Sequence, residues 1–297
     1  MSQLLQLVAN GLVTGSIIAI AAIGLSLVYG ILKIVNFAHG DFLTFGAFIA
    51  FAVNITYGQN MVIAVAAAML ATAALGVLLE FVLWRPIRNR GAGLISLFIV
   101  AIGLALVLRH VIFLIWGSRP RRYDVDVFQV YELGPIRLSL SQLVVIAVAF
   151  TAIALVGLML ARTRLGKSMR ALSDNRDLAA ATGIDIDRVT TYTWVLGAAL
   201  AGLGGVLQGL VQNAFNPNMG FTLLLFIFAA VVLGGVGSAY GALAGGIAVG
   251  LMMELSTWTV LPAGGVNPVY KPVVAFLILI LVLLFRPQGV FGRARTV

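Results

Sequence analysis

Few side chains in this sequence could do chemistry. Their densest group is Lys33 to Asp41, KIVNFAHGD, which sets Asn36, His39, Gly40 and Asp41 within six residues between two apolar runs. Asp41 stands at the start of the second run, where a carboxylate can cap a helix. The stretch reads either as a turn at the inner face of a membrane or as a discontinuous helix pair. In the second case half-helix ends and free backbone groups meet a polar solute. Elsewhere the reactive groups are scattered. His39 and His110 lie on different runs, and neither has a companion at HExxH or similar ligand spacing. Glu80 and Glu254 each sit alone in an apolar run, within reach of a span end or a polar neighbour, which weighs against a proton relay. Arg109 reads as snorkelling toward the outer face. The chain has no cysteine, which excludes disulfides, thiolate nucleophiles and Cys-ligated metals. ARTRLGKS, Ala161 to Ser168, resembles a phosphate loop with Ala for the first Gly. A phosphate loop joins a strand to a helix, whereas this one follows an apolar run, so the match is accidental and the chain has no nucleotide site of its own. No catalytic grouping, metal site or cofactor is expected, which disfavours a membrane-embedded enzyme.

The elements that must hold these residues follow from composition. Of 297 residues, 61% are hydrophobic and 10% charged, against about 25% charged in soluble domains. The chain is therefore an all-α polytopic membrane protein. Its net charge of +9 does not point to nucleic acid, because the basic residues lie between apolar runs rather than on one face. The first run is too long for a signal-peptide core and Met1 to Gln6 lacks a basic region, so it is expected to stay as a span.

Spanning takes about 20 apolar residues. The runs are Leu4 to Leu32, Phe42 to Tyr57, Met61 to Trp84, Leu94 to Trp116, Leu140 to Ala161 and Tyr192 to Val211. Phe221 to Leu233 is half a span long before GGVGSAYGALAGG, Gly234 to Gly246, which reads as a broken helix completed by residues to about Trp258. Pro268 to Phe285 is a final short span. This makes a single transmembrane domain over residues 1–297 with about nine crossings, in a range of eight to ten, and broken helices near a passage. The break at Asn36 to Asp41 and the glycines from Gly234 to Gly246 are expected to approach each other.

Two stretches carry small residues at a spacing of four: Gly197, Ala201, Gly205 and Gly209, and Gly237, Gly241 and Gly245 with Gly246 and Gly250 alongside. The first reads as close helix packing. The second reads equally as irregular backbone beside a cavity.

One long segment is polar. Arg162 to Arg188 holds six of the nineteen basic residues and four of the ten acids, so it must face water. Ser173 or Asp174 can cap a helix running from Asn175 to Thr182, with Asp177 in its first turn and Gly183 at a left-handed stop. With this loop at about 162–190 inside, thirteen basic residues fall inside, five outside and Arg109 within a span. That distribution puts the N-terminus outside and the C-terminus in the cytoplasm. Such a helix is either a solvated connection or a contact offered to a soluble partner.

Four motifs now carry a resemblance: VNFAHGDFLTFGAF (Val35 to Phe48), GKSMRALSDNRDLAAATGID (Gly166 to Asp185), VLGGVGSAYGALAGG (Val232 to Gly246) and FRPQGVFG (Phe285 to Gly292). In their order, and over nearly the whole chain, the sequence resembles the permease family of bacterial ABC importers for branched-chain and other neutral amino acids. It is most similar to the subunit of the pair that lacks long terminal extensions. The resemblance implies an inner-membrane importer built from two homologous permeases, two cytoplasmic ATPase subunits and a periplasmic substrate-binding protein. It places the coupling contact to an ATPase between Arg170 and Gly183, with Asp174, Asn175, Ala179 and Ala180 in it. Ala179 to Gly183 departs from the glutamate-alanine-alanine loop of other importers, keeping only the small residues and the glycine. It also puts the break, with Asn36, Phe37, His39, Gly40 and Asp41, near the translocation path, with Gly234, Gly235 and Gly237 as its counterpart. The alternatives are the same architecture importing urea or short amides, or a secondary transporter or channel working without ATP. The latter needs ion-coupling carboxylates, and the spans offer Glu80 and Glu254.

Overall fold

The computed structural model describes residues 2–125, 129–259, 265–286 and 288–290. Asp126, Arg293 and Arg295, and part of the terminal motif, lie outside the described residues. The described chain is helical apart from one small hairpin, so the all-α polytopic class holds. In chain order the helices are α1 (Ser2–Leu32), α2 (His39–Phe51, continued by a π turn Ala52–Thr56), α3 (Met61–Leu79, continued by a π turn Glu80–Trp84), α4 (Arg85–Asn89) and α5 (Leu94–Trp116). A hairpin of β1 (Val130–Leu133) and β2 (Ile136–Ser139) follows, paired antiparallel from Val130 opposite Ser139 to Leu133 opposite Ile136. Then come α6 (Leu140–Arg162), α7 (Arg164–Asp174), α8 (Arg176–Ala181), α9 (Ile186–Gln212), α10 (Met219–Gly234), α11 (Ala239–Leu255) and α12 (Lys271–Phe285).

Among the described residues six helices are long and apolar enough to cross a membrane by themselves. The shorter α2, α10 and α11 are packed among them. α1 is the axis. It is buried from Ile17 to Val28 and packs on α6, α9, α10 and α11. Small residues make this possible: a Cβ on Gly15 would lie 2.9 Å from the Ile247 Cα, and Gly246 rests against Ala19. α3, α5, α6 and α12 instead turn large apolar side chains outward, Leu114 at 85% exposure among them, as a lipid-facing surface requires.

Both small-residue stretches prove to be packing. Gly197 lies against Gly24 and Val28, and Gly205 against Leu43. The reading of Gly234 to Gly246 as a broken helix is corrected. The irregular backbone is confined to Gly235 to Ser238, where Gly235 and Gly237 take φ of 103° and 85° and reverse the chain. Gly234 then faces Gly241, and Gly245 faces Ala230, so α10 and α11 form a tight antiparallel pair. These glycines are there because neighbouring backbones touch.

The polar segment holds two helices, not one. Thr163 caps α7 by accepting from Gly166 N, and Asn175 caps α8 by accepting from Leu178 N. Ser173 and Asp174, expected as caps, are the last residues of α7. Asp177 in the first turn and Gly183 at φ 83° are as the sequence indicates. Lys167 and Ser168 of the phosphate-loop look-alike lie within α7.

Candidate functional site: two helices that begin inside the bundle

α1 ends at Leu32 and Lys33 adopts φ 55°, turning the chain back on itself. Residues 33–38 return beside α1, and α2 opens at His39, whose Nε2 lies 2.9 Å from the Ala21 carbonyl. Ala21 is about 16 Å below the end of α1 at 1.5 Å per residue. Six extended residues span roughly 20 Å, enough for that return. The break is therefore a re-entry, and α2 begins in the middle of the bundle.

A second helix starts in the same way. α9 ends at Gln212, Asn213 takes φ 59°, residues 213–218 return inward, and α10 opens at Met219. Lys33 and Asn213 are the only non-glycine residues with positive φ among those described. They are 180 positions apart, and the correspondence continues at that offset. The Asn36 Oδ1 accepts from Ala38 N at 3.1 Å, and the Asn216 Oδ1 accepts from Asn218 N at 2.9 Å. The Asn36 and Asn216 carbonyls accept from His39 N and Met219 N at 3.2 and 3.0 Å. Gly40 and Gly220 follow, and they touch: the nearest atom to a Cβ on either would be the other's carbonyl oxygen. Thr44 Oγ1 closes the contact by accepting from Gly220 N at 3.0 Å.

From this junction the helices run apart. α2 leads to Asn54, which bonds Gln59 and Asp124, while α10 leads to the Gly237 turn, packed on Gly30 beside Ser173. This corrects the expectation that the break meets Gly234 to Gly246: its facing partner is the start of α10. Of the expected glycines, Gly237 lies against Gly30 near the end of α1. Phe37 lies between Phe98 and Phe228, ring centroids 5.1 and 4.9 Å away.

One cation joins the two openings. Arg109 of α5 donates from Nε and Nη2 to Asp41 at 3.0 and 3.4 Å, and its guanidinium lies 4.3 Å from the Phe221 ring centroid. Asp41 and Phe221 are the equivalent residues of the two repeats. Two expectations are thereby corrected. Arg109 does not snorkel outward, and Asp41 makes no cap bond, because α2 starts two residues before it and its carboxylate is taken by Arg109. Glu80 and Glu254 are not alone either. Glu80 accepts from Arg88 through both oxygens and from Trp194 Nε1 at 2.7 Å, and Glu254 pairs with Lys271 at 2.7 Å.

The end of the molecule that carries α7 and α8 is tied to the start of the re-entry. The Lys33 Nζ donates to the Gly30 and Ser173 carbonyls at 2.7 and 3.2 Å, binding the last turn of α7 to the re-entry. Arg85 pairs with Asp187 at the start of α9. Further along α9, Trp194 stacks on Trp84 and meets Phe42 of α2 edge-on at 6.3 Å. Arg170 is turned inward onto the Leu160 carbonyl. Ala179 is buried, whereas Asp174, Asn175, Ala180 and Gly183 are exposed. A groove of about 450 Å³ opens among Arg176, Ala180, Gly183 and Asp187, with Leu178 64% exposed on the same short helix.

The sequence matches over residues 7–283 the profile of a family described as the permease component of the branched-chain amino acid transport system. It is 36% identical to the high-affinity branched-chain amino acid transport system permease protein BraD of Pseudomonas aeruginosa, over 97% of this chain and 96% of that one. It is 35% identical to the corresponding permease protein LivH of Escherichia coli, with the same coverage. Among solved structures it resembles PsaBC from Streptococcus pneumoniae, solved in complex with a Fab, at a TM-score of 0.50 and 12% identity over 94% of this chain and 91% of that one. At that identity the likeness shows the fold.

Proposed function

This chain belongs to the family of permease components of branched-chain amino acid transport systems, and from that premise we propose that it is the membrane-spanning permease subunit of an ATP-driven importer for branched-chain or other neutral amino acids. It is one permease domain, and the loop at about 162–190 is its cytoplasmic coupling element. ATP hydrolysis belongs to two cytoplasmic ATPase subunits. A homologous second permease completes the passage, and a periplasmic binding protein delivers the substrate. The protein lies in the inner membrane with its C-terminus in the cytoplasm.

The observation that carries this reading is the bond from Lys33, where the first re-entry starts, to the Ser173 carbonyl in the last turn of α7. A solvated connection has no need of an outward Leu178, a groove beside Ala180 and Gly183 or a lysine that joins the last turn of α7 to the start of the re-entry. A helix pair that receives force from an ATPase needs all three. Asn36, Phe37, His39, Gly40 and Asp41 then border the passage at mid-depth, and Gly235 and Gly237 form the inner turn against which α1 and α7 move. Ala180, Gly183 and Arg176 face the ATPase, with Asp174 and Asn175 at the joint between the two coupling helices.

Affinity purification from native membranes tests the assignment. Two ATPase subunits and a second permease should co-purify in fixed ratio. Recovery of this chain alone, with amino-acid uptake insensitive to ATP, would leave an ATP-independent carrier.

A further inference from the structure

The Arg109–Asp41 pair is not needed to hold the junction together. Gly40, Gly220 and Thr44 already join α2 to α10 through backbone contact and a hydrogen bond. An arginine at membrane depth is costly to insert, and a buried ion pair seldom repays its desolvation in stability. Its presence asks for another reason.

The geometry supplies one. Asp41 is sealed, at 0% side-chain exposure, whereas Arg109 keeps 13%. Nε and Nη2 face Asp41, and Nη1 donates to nothing among the described residues. The guanidinium thus has one edge fixed from behind and another open. The local field is positive. The N-termini of α2 and α10 each contribute about half a positive charge, and Asp41 offsets only the charge of Arg109. A buried donor of the same re-entrant segment lacks an acceptor: Asn36 is 0% exposed, its oxygen is folded onto the first turn of α2, and its Nδ2 is unpartnered. Beside the guanidinium, Phe221 is 43% exposed and offers apolar surface.

We propose that Arg109 is a receptor for the α-carboxylate of the transported amino acid at mid-passage, with Asp41 as the residue that positions it. The inference rests on the amino-acid permease reading. The carboxylate approaches the open Nη1 edge, cancels the excess positive charge of the two helix ends, and leaves again because Asp41 holds half of the guanidinium throughout. The aliphatic side chain lies on Phe221.

The test uses the complete importer in liposomes, with binding protein, and follows both leucine uptake and binding-protein-stimulated ATP hydrolysis. The double variant D41N/R109Q replaces the ion pair by an amide pair of similar size. Uptake should fall at least roughly tenfold, the scale of one lost charged hydrogen bond, while stimulated hydrolysis persists. Near-normal uptake would overturn the proposal and leave the pair as packing. Loss of uptake and stimulation together would also overturn it, because the pair would then serve the mechanics of the junction. R109K keeps the pair with Asp41 but lacks the planar fork. If the double variant does not accumulate, this variant decides: reduced uptake with stimulation intact supports the receptor, and wild-type uptake contradicts it. A wild-type complex that imports no amino acid under these conditions defeats the permease reading itself, a result distinct from any variant effect.

Discussion

Gly40 and Gly220 meet face to face, each first turn pressed on the carbonyl of the other, where α2 and α10 begin inside the bundle. Neither position has room for a side chain. Gly220→Ala should therefore force α10 away from α2, at a cost of about 1 to 3 kcal/mol for overpacking. The measurement is the thermal midpoint of the purified protein, with Gly103→Ala as control, since nothing lies within 4 Å of a Cβ there. Equal midpoints for the two variants would mean that the helices do not touch.

The Glu80 carboxylate accepts from two partners, the half-buried Arg88 and the buried Trp194. Glu80→Leu leaves both donors unpaired and is expected to destabilise by about 3 to 5 kcal/mol. Glu80→Gln keeps one acceptor and should cost less. In the importer, a Glu80→Gln variant that folds should transport normally, which a proton gradient assay would check: loss of transport with retained stability would make Glu80 a relay.

Much of this architecture is legible in composition. The runs from Leu94 to Trp116 and Leu140 to Ala161 are long and predominantly apolar and are set off by glycine or polar residues at their ends, so sequence and structure agree on them within a residue. The re-entry is less legible. KIVNFAHGD announces a break, but its depth depends on the extended return and on the bond from His39 to Ala21, which no local pattern encodes. The matching break was missed because only Asn36 and Asn216, Gly40 and Gly220, and Leu43 and Leu223 are identical over the stretch from Lys33 to Leu43. The repeat lies in backbone conformation. Gly234 to Gly246 drew the expectation instead, because glycine that packs helices and glycine that breaks them look alike in sequence. The Arg109–Asp41 pair joins residues 68 apart, beyond any local pattern.

Sidedness can be checked directly because the chain has no cysteine. Cysteine placed at Leu178 should react with an impermeant thiol reagent only after the membrane is opened, and cysteine at Glu132 in the β1 strand should react in intact cells. The reverse pattern would invert the orientation.

A contact between α8 and an ATPase would be sensitive to volume and charge. Ala180 is exposed in the groove of the α8 end, and Ala180→Glu should leave the fold intact while weakening assembly with the ATPase or abolishing stimulation. Ala179→Glu, at a buried position, should instead lower stability. Unchanged uptake in Ala180→Glu would make α8 a solvated connection.

The most direct measurement is leucine uptake into liposomes that contain this chain, its partner permease and the two ATPase subunits, with binding protein outside and ATP inside. The account predicts accumulation that stops when ATP is withheld and when binding protein is omitted. Accumulation that continues without ATP would contradict it.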